Sequence, residues 1–367
     1  NYNKKKTFAN FLPGLAGKRG IPLWAFYVNR AQLISGFGLQ DKNHPITLFH
    51  SANKAYENVS RDGFRTFIKI NNEIYEPFSI NAKHENKLII EPHKVSIEET
   101  NADLGIKVIV SYFGLPNEEI PALARMVKLV NLQPEPLKLE IVDGLAEILP
   151  AGLGAEEFKA LSNLLQSWMD VECLEEKFAF YKLRGSTGDS AEVSEVRQGN
   201  FYVGFDRSGL LEIIADRDLI FAYDTSKTLP LNFVEKSVSE LLKLPQVNKN
   251  KVPSAFIPTD IILNKEYEIF SLIGHTHSLN SLRDKLPQIT NIDYILNKEL
   301  EAKKIIEDLL EDVHTETAYP EFDAYIKQNY LDNLLRGGYP ITIGKQIYHI
   351  YGRKHGDLER DYNFFSL

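Results

Sequence analysis

From Ile21 to about Gly274 the chain is a succession of short runs of β-forming residues, each closed by Gly, Pro, Asn or Asp. No other feature restricts its fold as strongly. The runs PLWAFYV, GFRTFIKI, GIKVIVSYFGL, KFAFYKLRG, GNFYVGF, DLIFAYD and KEYEIFSLIG each have the length and composition of one strand. That many strands, with turn signals between them, require at least two packed antiparallel sheets. In ARMVKLVNL, Ala124 to Leu132, apolar and polar residues alternate, and in PLKLEIVDG the residues Leu137, Leu139 and Ile141 share one face while Lys138 and Glu140 share the other. The turn-like Gln133 to Pro136 between them predicts a hairpin. One helix interrupts the pattern: AEEFKALSNLLQSWMDV places Phe158, Leu161, Leu165, Trp168 and Met169 at helical spacing, with Glu156 and Glu157 in its first turn. It is expected to lie across a sheet.

After Gly274 the period changes. Ile292, Ile295, Leu296, Ile305, Ile306, Leu309, Leu310 and Val313 form an apolar stripe through Glu- and Lys-rich sequence, which predicts an amphipathic helix. A second helix is expected from about Tyr319 to Arg336, with Pro320 in its first turn and Gly337 and Gly338 as its stop. The expected fold is therefore mainly β: an antiparallel sandwich first, a helical segment second, with no internal repeat.

Composition narrows the partners. The chain is 43% hydrophobic and 25% charged, enough to bury a large core, and its formal net charge of -8 speaks against a nucleic-acid footprint. A single cysteine, Cys173 in WMDVECLEE, excludes an intramolecular disulfide and fits a reducing compartment; a buried, inert thiol is expected. No apolar run approaches the roughly 18 to 20 residues needed to span a bilayer, and Asn1 to Phe11 lacks the apolar centre of a secretion signal. A soluble cytoplasmic protein, with no membrane partner, is expected. Asn1 is not an initiator methionine, so the native start is expected upstream.

His275 and His277 in GHTHS form an H-x-H pair that an extended backbone would put on one side. No H-E-x-x-H, cysteine pair or nearby acidic cluster supplies further metal ligands, so no metal site is assigned and two solvated histidines in a loop are expected. Gly14, Gly17, Gly20, Gly36 and Gly38 are followed by strands rather than by a helix, which assigns them to turns and bulges instead of a phosphate cradle. Glu118 with Glu119, and Glu156 with Glu157, are sequence neighbours that do not converge on one bond, and solvated carboxylates are expected. Trp24 and Trp168 are expected in the core. The segment YGRKHGDLERDYNFFSL is different, because it crowds both charge signs between Tyr351, Tyr362, Phe364 and Phe365. Such a loop is suited to binding.

The segments NFLPGLAGKRGIPLWAFYVNRAQLISGFGLQDK, ANKAYENVSRDGFRTFIKI, SNLLQSWMDVECLEEKFAFYKLRGSTGDSAEVSEV, YLDNLLRGGYPITIG and YGRKHGDLERDYNFFSL resemble the glycoside phosphorylases of glycoside hydrolase family 94 and its neighbours, most closely those acting on 1,2-β-oligoglucans (sophoro-oligosaccharides). The resemblance spans essentially the whole chain. It implies a galactose mutarotase-like β-supersandwich over residues 1–285, a helical linker over 286–345, and in 346–367 the start of an (α/α)6 catalytic barrel that continues beyond Leu367. It implies inverting phosphorolysis, in which a barrel carboxylic acid protonates the leaving oxygen while inorganic phosphate, the co-substrate, attacks the opposite face of the sugar. No catalytic residue and no cofactor is then expected in this chain, which would be non-catalytic and would help to form a homodimer interface. Arg353, His355, Asp357, Arg360 and Asp361 match the charged stretch leading into the barrel, and are the candidates to meet phosphate or sugar hydroxyls. Two other readings remain open: a mutarotase-like epimerase using His275 and His277 as acid and base, and a stand-alone carbohydrate-binding module.

Overall fold

The computed structural model describes residues 1–12, 23–39, 42–187, 194–335, 339–343, 346–352 and 362–366, with side chains as far as Leu331 apart from 162 and 163. In chain order, strands β1 (Ala9–Phe11), β2 (Leu23–Val28), β3 (Ile34–Leu39) and β4 (His44–Thr47) precede helix α1 (Ala52–Asp62). Strands β5 (Phe64–Ile70), β6 (Glu73–Tyr75), β7 (Glu85–Ile90), β8 (Lys94–Asn101), β9 (Ile106–Gly114), β10 (Ala122–Asn131) and β11 (Leu137–Leu145) follow, then α2 (Ala155–Leu165). Next come β12 (Met169–Glu172), β13 (Phe178–Leu183), β14 (Gly199–Asp206) and β15 (Gly209–Leu210), and three short helices, α3 (Asp218–Phe221), α4 (Leu231–Glu235) and α5 (Val238–Leu241). Strands β16 (Ala255–Leu263) and β17 (Glu266–Thr276) complete the sandwich. They lead into α6 (Leu279–Ile289), α7 (Ile292–Leu310) and α8 (Pro320–Leu335), and then into β18 (Tyr339–Ile343), β19 (Gln346–Gly352) and β20 (Tyr362–Ser366).

The fold is mainly antiparallel β with helices on its C-terminal side. A large sheet runs β12-β13-β14-β17-β10-β9-β8-β7, with β15 beside β14. A second sheet, β16-β11-β5-β6, packs against it, and a third, β1-β2-β3-β4, shares the same core; β18, β19 and β20 form a fourth. Strand parity sorts the side chains. In β10, Leu123, Val127 and Leu129 enter the core between the sheets, while Ala122 and Ala124 face outward. That outward face is not solvated: Leu282, Leu286 and Ile289 of α6 and Ile295 of α7 cover it, packing on Phe113, Phe180, Phe201 and Phe270. A sheet buried on both faces needs solid apolar runs, which is why β14 and β17 read that way in sequence.

Parity also brings charge into the core. Arg125 shares the inward phase of Leu123 and Val127, and Asp143 shares that of Leu139 and Ile141, so the two meet between the sheets, 1% and 0% exposed at their side chains. Arg125 binds Asp143 through both terminal nitrogens, one contact at 2.9 Å. Its second terminal nitrogen also donates to Gln32 Oε1 at 2.6 Å, and Nε to the Tyr112 hydroxyl at 3.2 Å. Thr66 Oγ1 donates to Asp143 Oδ1 at 2.6 Å, and the guanidinium lies 4.8 Å from the Phe64 ring centroid.

The structure corrects three sequence expectations. Ala124–Leu132 and Leu137–Leu145 are not a hairpin: β10 pairs with β9 and β17, whereas β11 pairs with β5 and β16. Pro134 and Pro136 carry no amide donors for a ladder, and the link arches from one sheet to the other. Asn131 holds that arch, its Nδ2 donating to the carbonyls of Glu135, Leu263 and Asn264. The run DLIFAYD is helical at its start rather than a strand. Adjacent Ile220 and Phe221 are both buried against Phe67, Val142 and Phe256, which a helix permits and an alternating strand does not. Finally, α2 ends at Leu165 with a break in its backbone at Leu161, and Met169 belongs to β12. Leu161 and Trp168 are consequently exposed, Trp168 to 36%, while Trp24 is buried as expected.

The helical segment is fastened as well as packed. Lys298 of α7 reaches the loop between β9 and β10, with Nζ 2.7 Å from Glu118 Oε1, 2.9 Å from Glu301 Oε2 and 3.1 Å from the Pro116 carbonyl. The replacement Lys298→Met is expected to lower unfolding stability by about 2 kcal/mol, the scale of lost hydrogen bonds to charged partners. The exposed Lys303, 3.8 Å from Glu307, serves as the control, and Lys303→Met should shift the urea midpoint by less than about 0.5 kcal/mol equivalent.

Candidate functional site

A cavity of about 590 Å³ opens where the core between the sheets ends. Its floor comes from β14 and β17. Asn200 and His275 are directly opposed across this strand pair, and both carry the inward parity of Tyr202 and Ile273. One wall is the link after β11, Pro150 to Gly154; the others are the start of β4, with His44 and Pro45, and the β9–β10 loop, with Glu118, Glu119 and Pro121. Gln198 and His277 complete the rim. Gly38 makes room for β4: at the bulge between Phe37 and Gly38, a Cβ would sit 2.4 Å from the His44 carbonyl oxygen.

His275 is the best-defined group. Its Nδ1 lies 2.9 Å from Asn200 Oδ1, and Asn200 Nδ2 donates to the Leu149 carbonyl at 2.7 Å. That second bond orients the carboxamide, so Oδ1 is an acceptor and His275 Nδ1 carries the proton. Nε2 is left as an unprotonated acceptor, with no hydrogen-bond partner among the described residues, on a residue lining the cavity. Burial, helped by the nearby His277 and His44, holds the His275 pKa down to about 4. The imidazole is neutral at physiological pH, and so weak a base accepts a hydroxyl hydrogen bond far more readily than it removes a proton.

Among the described residues, the buried carboxylate of the cavity is already matched. Glu118 is tied to Lys298, and its Oε1 also accepts from the Tyr294 hydroxyl. Glu119 is 3.4 Å from Lys285 in solvent. Neither Lys nor Arg lines the cavity among the described residues. Among those residues there is also no group of three or more His, Cys, Asp or Glu placed to hold a metal ion.

These positions revise the sequence reading. His275 is buried at the end of a strand rather than solvated in a loop; only His277 is exposed, the two rings meeting edge to face with centroids 5.6 Å apart. Glu119 is solvated as expected, but the Glu118 side chain is 6% exposed, because the ion pair with Lys298 offsets its burial. Asn200 and Gln198 were not singled out from sequence; the shared parity of two strands would have placed Asn200 on the His275 face, but their register is not written in either strand. Cys173 is half-buried, its thiol pushed up to about 12 by burial and by Glu176, which keeps it protonated and unreactive. Arg353, His355, Asp357, Arg360 and Asp361 lie outside the described residues, as do Gly14, Gly17 and Gly20. No described helix is long and apolar enough to cross a membrane.

No protein-family model matches the sequence, and no curated protein does. Among solved structures the chain is similar to a protein described as a kojibiose phosphorylase from the human microbiome, at 10% identity over 90% of this chain and 35% of that one, with a TM-score of 0.42. It is also similar to a bacterial glucoamylase complexed with acarbose, at 9% identity over 91% of this chain and 46% of that one, TM-score 0.46. A family GH92 α-mannosidase from Bacteroides thetaiotaomicron matches at 12% identity over 96% of this chain and 43% of that one, TM-score 0.41. The chain spans less than half the length of each of these three proteins.

Proposed function

We propose that this chain is the non-catalytic sandwich-and-linker region of a carbohydrate-processing enzyme, and specifically of an inverting phosphorylase of the family 94 type acting on 1,2-β-oligoglucans. The observation that carries the reading is the order of the layers. An antiparallel supersandwich is followed by α6, α7 and α8, the first two packed on its large sheet, which is the order that the resemblance in sequence implies. The chemistry of the cavity is compatible with a non-catalytic role, since among the described residues the buried Glu118 is ion-paired and the buried imidazole of His275 is a weak base.

In this reading residues 1–285 are the sandwich, 286–345 the linker and 346–367 the entry to a barrel beyond Leu367. The barrel supplies the carboxylic acid that protonates the leaving oxygen, and phosphate displaces it from the opposite face to give α-glucose 1-phosphate. Arg353, His355, Asp357, Arg360 and Asp361 would approach phosphate or sugar from the sandwich side by charge-assisted hydrogen bonds. A cytoplasmic homodimer is part of the same proposal.

The test is an assay of the protein extended downstream of Leu367, incubated with sophoro-oligosaccharides and inorganic phosphate. Release of α-glucose 1-phosphate is expected, and the 367-residue chain alone should release none. Absence of turnover on every β-linked glucan offered would remove the substrate assignment. Anomerisation of glucose by the 367-residue chain would remove the non-catalytic role.

A further inference from the structure

We propose that the cavity over His275 and Asn200 binds a neutral, polyhydroxylated ligand the size of a mono- or disaccharide, one hydroxyl of which donates to His275 Nε2. The chemistry of the cavity favours such a ligand whether or not the chain belongs to a phosphorylase.

Size comes first. At about 590 Å³ the cavity falls within the range of about 300 to 1,000 Å³ that small-molecule sites occupy. Charge then decides the class. An anion such as phosphate or a carboxylate is favoured by a Lys or Arg, and none lines the cavity among the described residues; Glu156 and Glu157 in the first turn of α2 oppose an anion at that helix end. A cationic ligand would need an unmatched carboxylate within the cavity; among the described residues the buried Glu118 is bound to Lys298, and Glu119, 3.4 Å from Lys285, stands largely in solvent. What remains is a neutral surface of imidazole, carboxamide and main chain interrupted by Leu39, Pro45 and Leu153. Hydroxyl groups on a carbon frame complement that mixture, because each can donate to one neighbour while the C–H faces cover the apolar ones.

His275 supplies the acceptor from a buried position at the cavity floor. Asn200 spends its donor on the Leu149 carbonyl and its acceptor on His275, which orients the ring and leaves Nε2 for an incoming donor. A neutral imidazole with suppressed basicity keeps that acceptor available throughout the physiological pH range. His275 and Asn200 therefore act as a binding pair, with no proton changing owner.

The experiment uses the 367-residue chain with glucose, sophorose and glycerol as probes, and inorganic phosphate and methylammonium as charged comparisons. Calorimetry measures affinity, and the ¹⁵N shift of His275 Nε2 reports contact with the ligand. Saturable binding of glucose or sophorose, with displacement of the Nε2 resonance, is expected; preferential binding of glycerol would identify a polyol site of the same chemistry. Two variants locate it. His275→Ala removes the acceptor, and Gly154→Phe fills the cavity from a residue whose φ is -79° and whose added Cβ would have no neighbour closer than 3.9 Å. Each should weaken binding at least tenfold, and Gly154→Phe does so without touching the His275 pair should His275→Ala fail to fold. Failure of every neutral probe to bind at millimolar concentration, tighter binding of phosphate or methylammonium, or unchanged affinity in Gly154→Phe would each overturn the proposal.

Discussion

Replacing Arg125 by methionine is expected to cost about 3 to 5 kcal/mol of unfolding free energy, the scale of a buried ion pair deprived of one partner. The charge left behind is Asp143, fully buried between the sheets, with Thr66 as its remaining side-chain donor. Gln32 and Tyr112 lose their contacts with the guanidinium at the same time. Removing both charges together should be far gentler, because a buried pair contributes little beyond the desolvation it offsets. The variant carrying Arg125→Met with Asp143→Leu is therefore expected to recover most of the loss. Urea unfolding of the two single variants and the double variant measures the difference. A single Arg125→Met that unfolds within about 1 kcal/mol of the native protein would mean that solvent or another donor reaches Asp143.

Acid should destabilise the sandwich through His275 before it protonates ordinary carboxylates. In the unfolded chain this histidine takes up a proton near its usual 6.5, but in the folded chain only at about 4. Stability is thus complete above pH 6.5 and is lost as pH falls towards 4, by roughly 3 kcal/mol in total for a difference of this size. Glu99 acts in the opposite sense. Burial raises its pKa despite hydrogen bonds from Tyr75, Asn86 and the Phe78 amide, so its contribution increases as the solution becomes more acid. The variant His275→Gln isolates the histidine, since glutamine does not titrate. Its stability profile between pH 6.5 and 4 should be flatter than that of the native protein, as read from urea midpoints at each pH. Parallel profiles would show that His275 does not carry the slope.

Much of this architecture was legible because it follows from parity. The alternation in Leu137–Ile141 indicates which side chains face inward, and the stripe from Ile292 identifies the helix that supplies Lys298. Pairing was not legible, since a strand's sequence records its face and not its neighbour. The missed arch at Gln133 to Pro136 is that limitation at work. Buried charge was hidden for a related reason: Arg125 stands in phase with Val127 and Leu129, but Asp143, which makes that position tolerable, lies on a strand of the other sheet. The candidate site depended on the same kind of information. His275 was visible as a histidine, yet its burial, its tautomer and its cavity arise from Asn200 and Leu149, which only register and folding bring near.

The arch that Asn131 secures has a counterpart in the turn between β16 and β17, and the two are stacked, β10 beside β17 and β11 beside β16. Both of these sheets are thus completed by strands made late. A ribosome that has delivered Leu145 has produced β10 and β11 with one edge of each still bare, and those edges wait for Ala255 to Thr276 to emerge. Until then the nascent chain exposes two apolar ladders that any similar strand could occupy. Shielding of those edges until their partners emerge is therefore a condition for reaching the native pairing during synthesis.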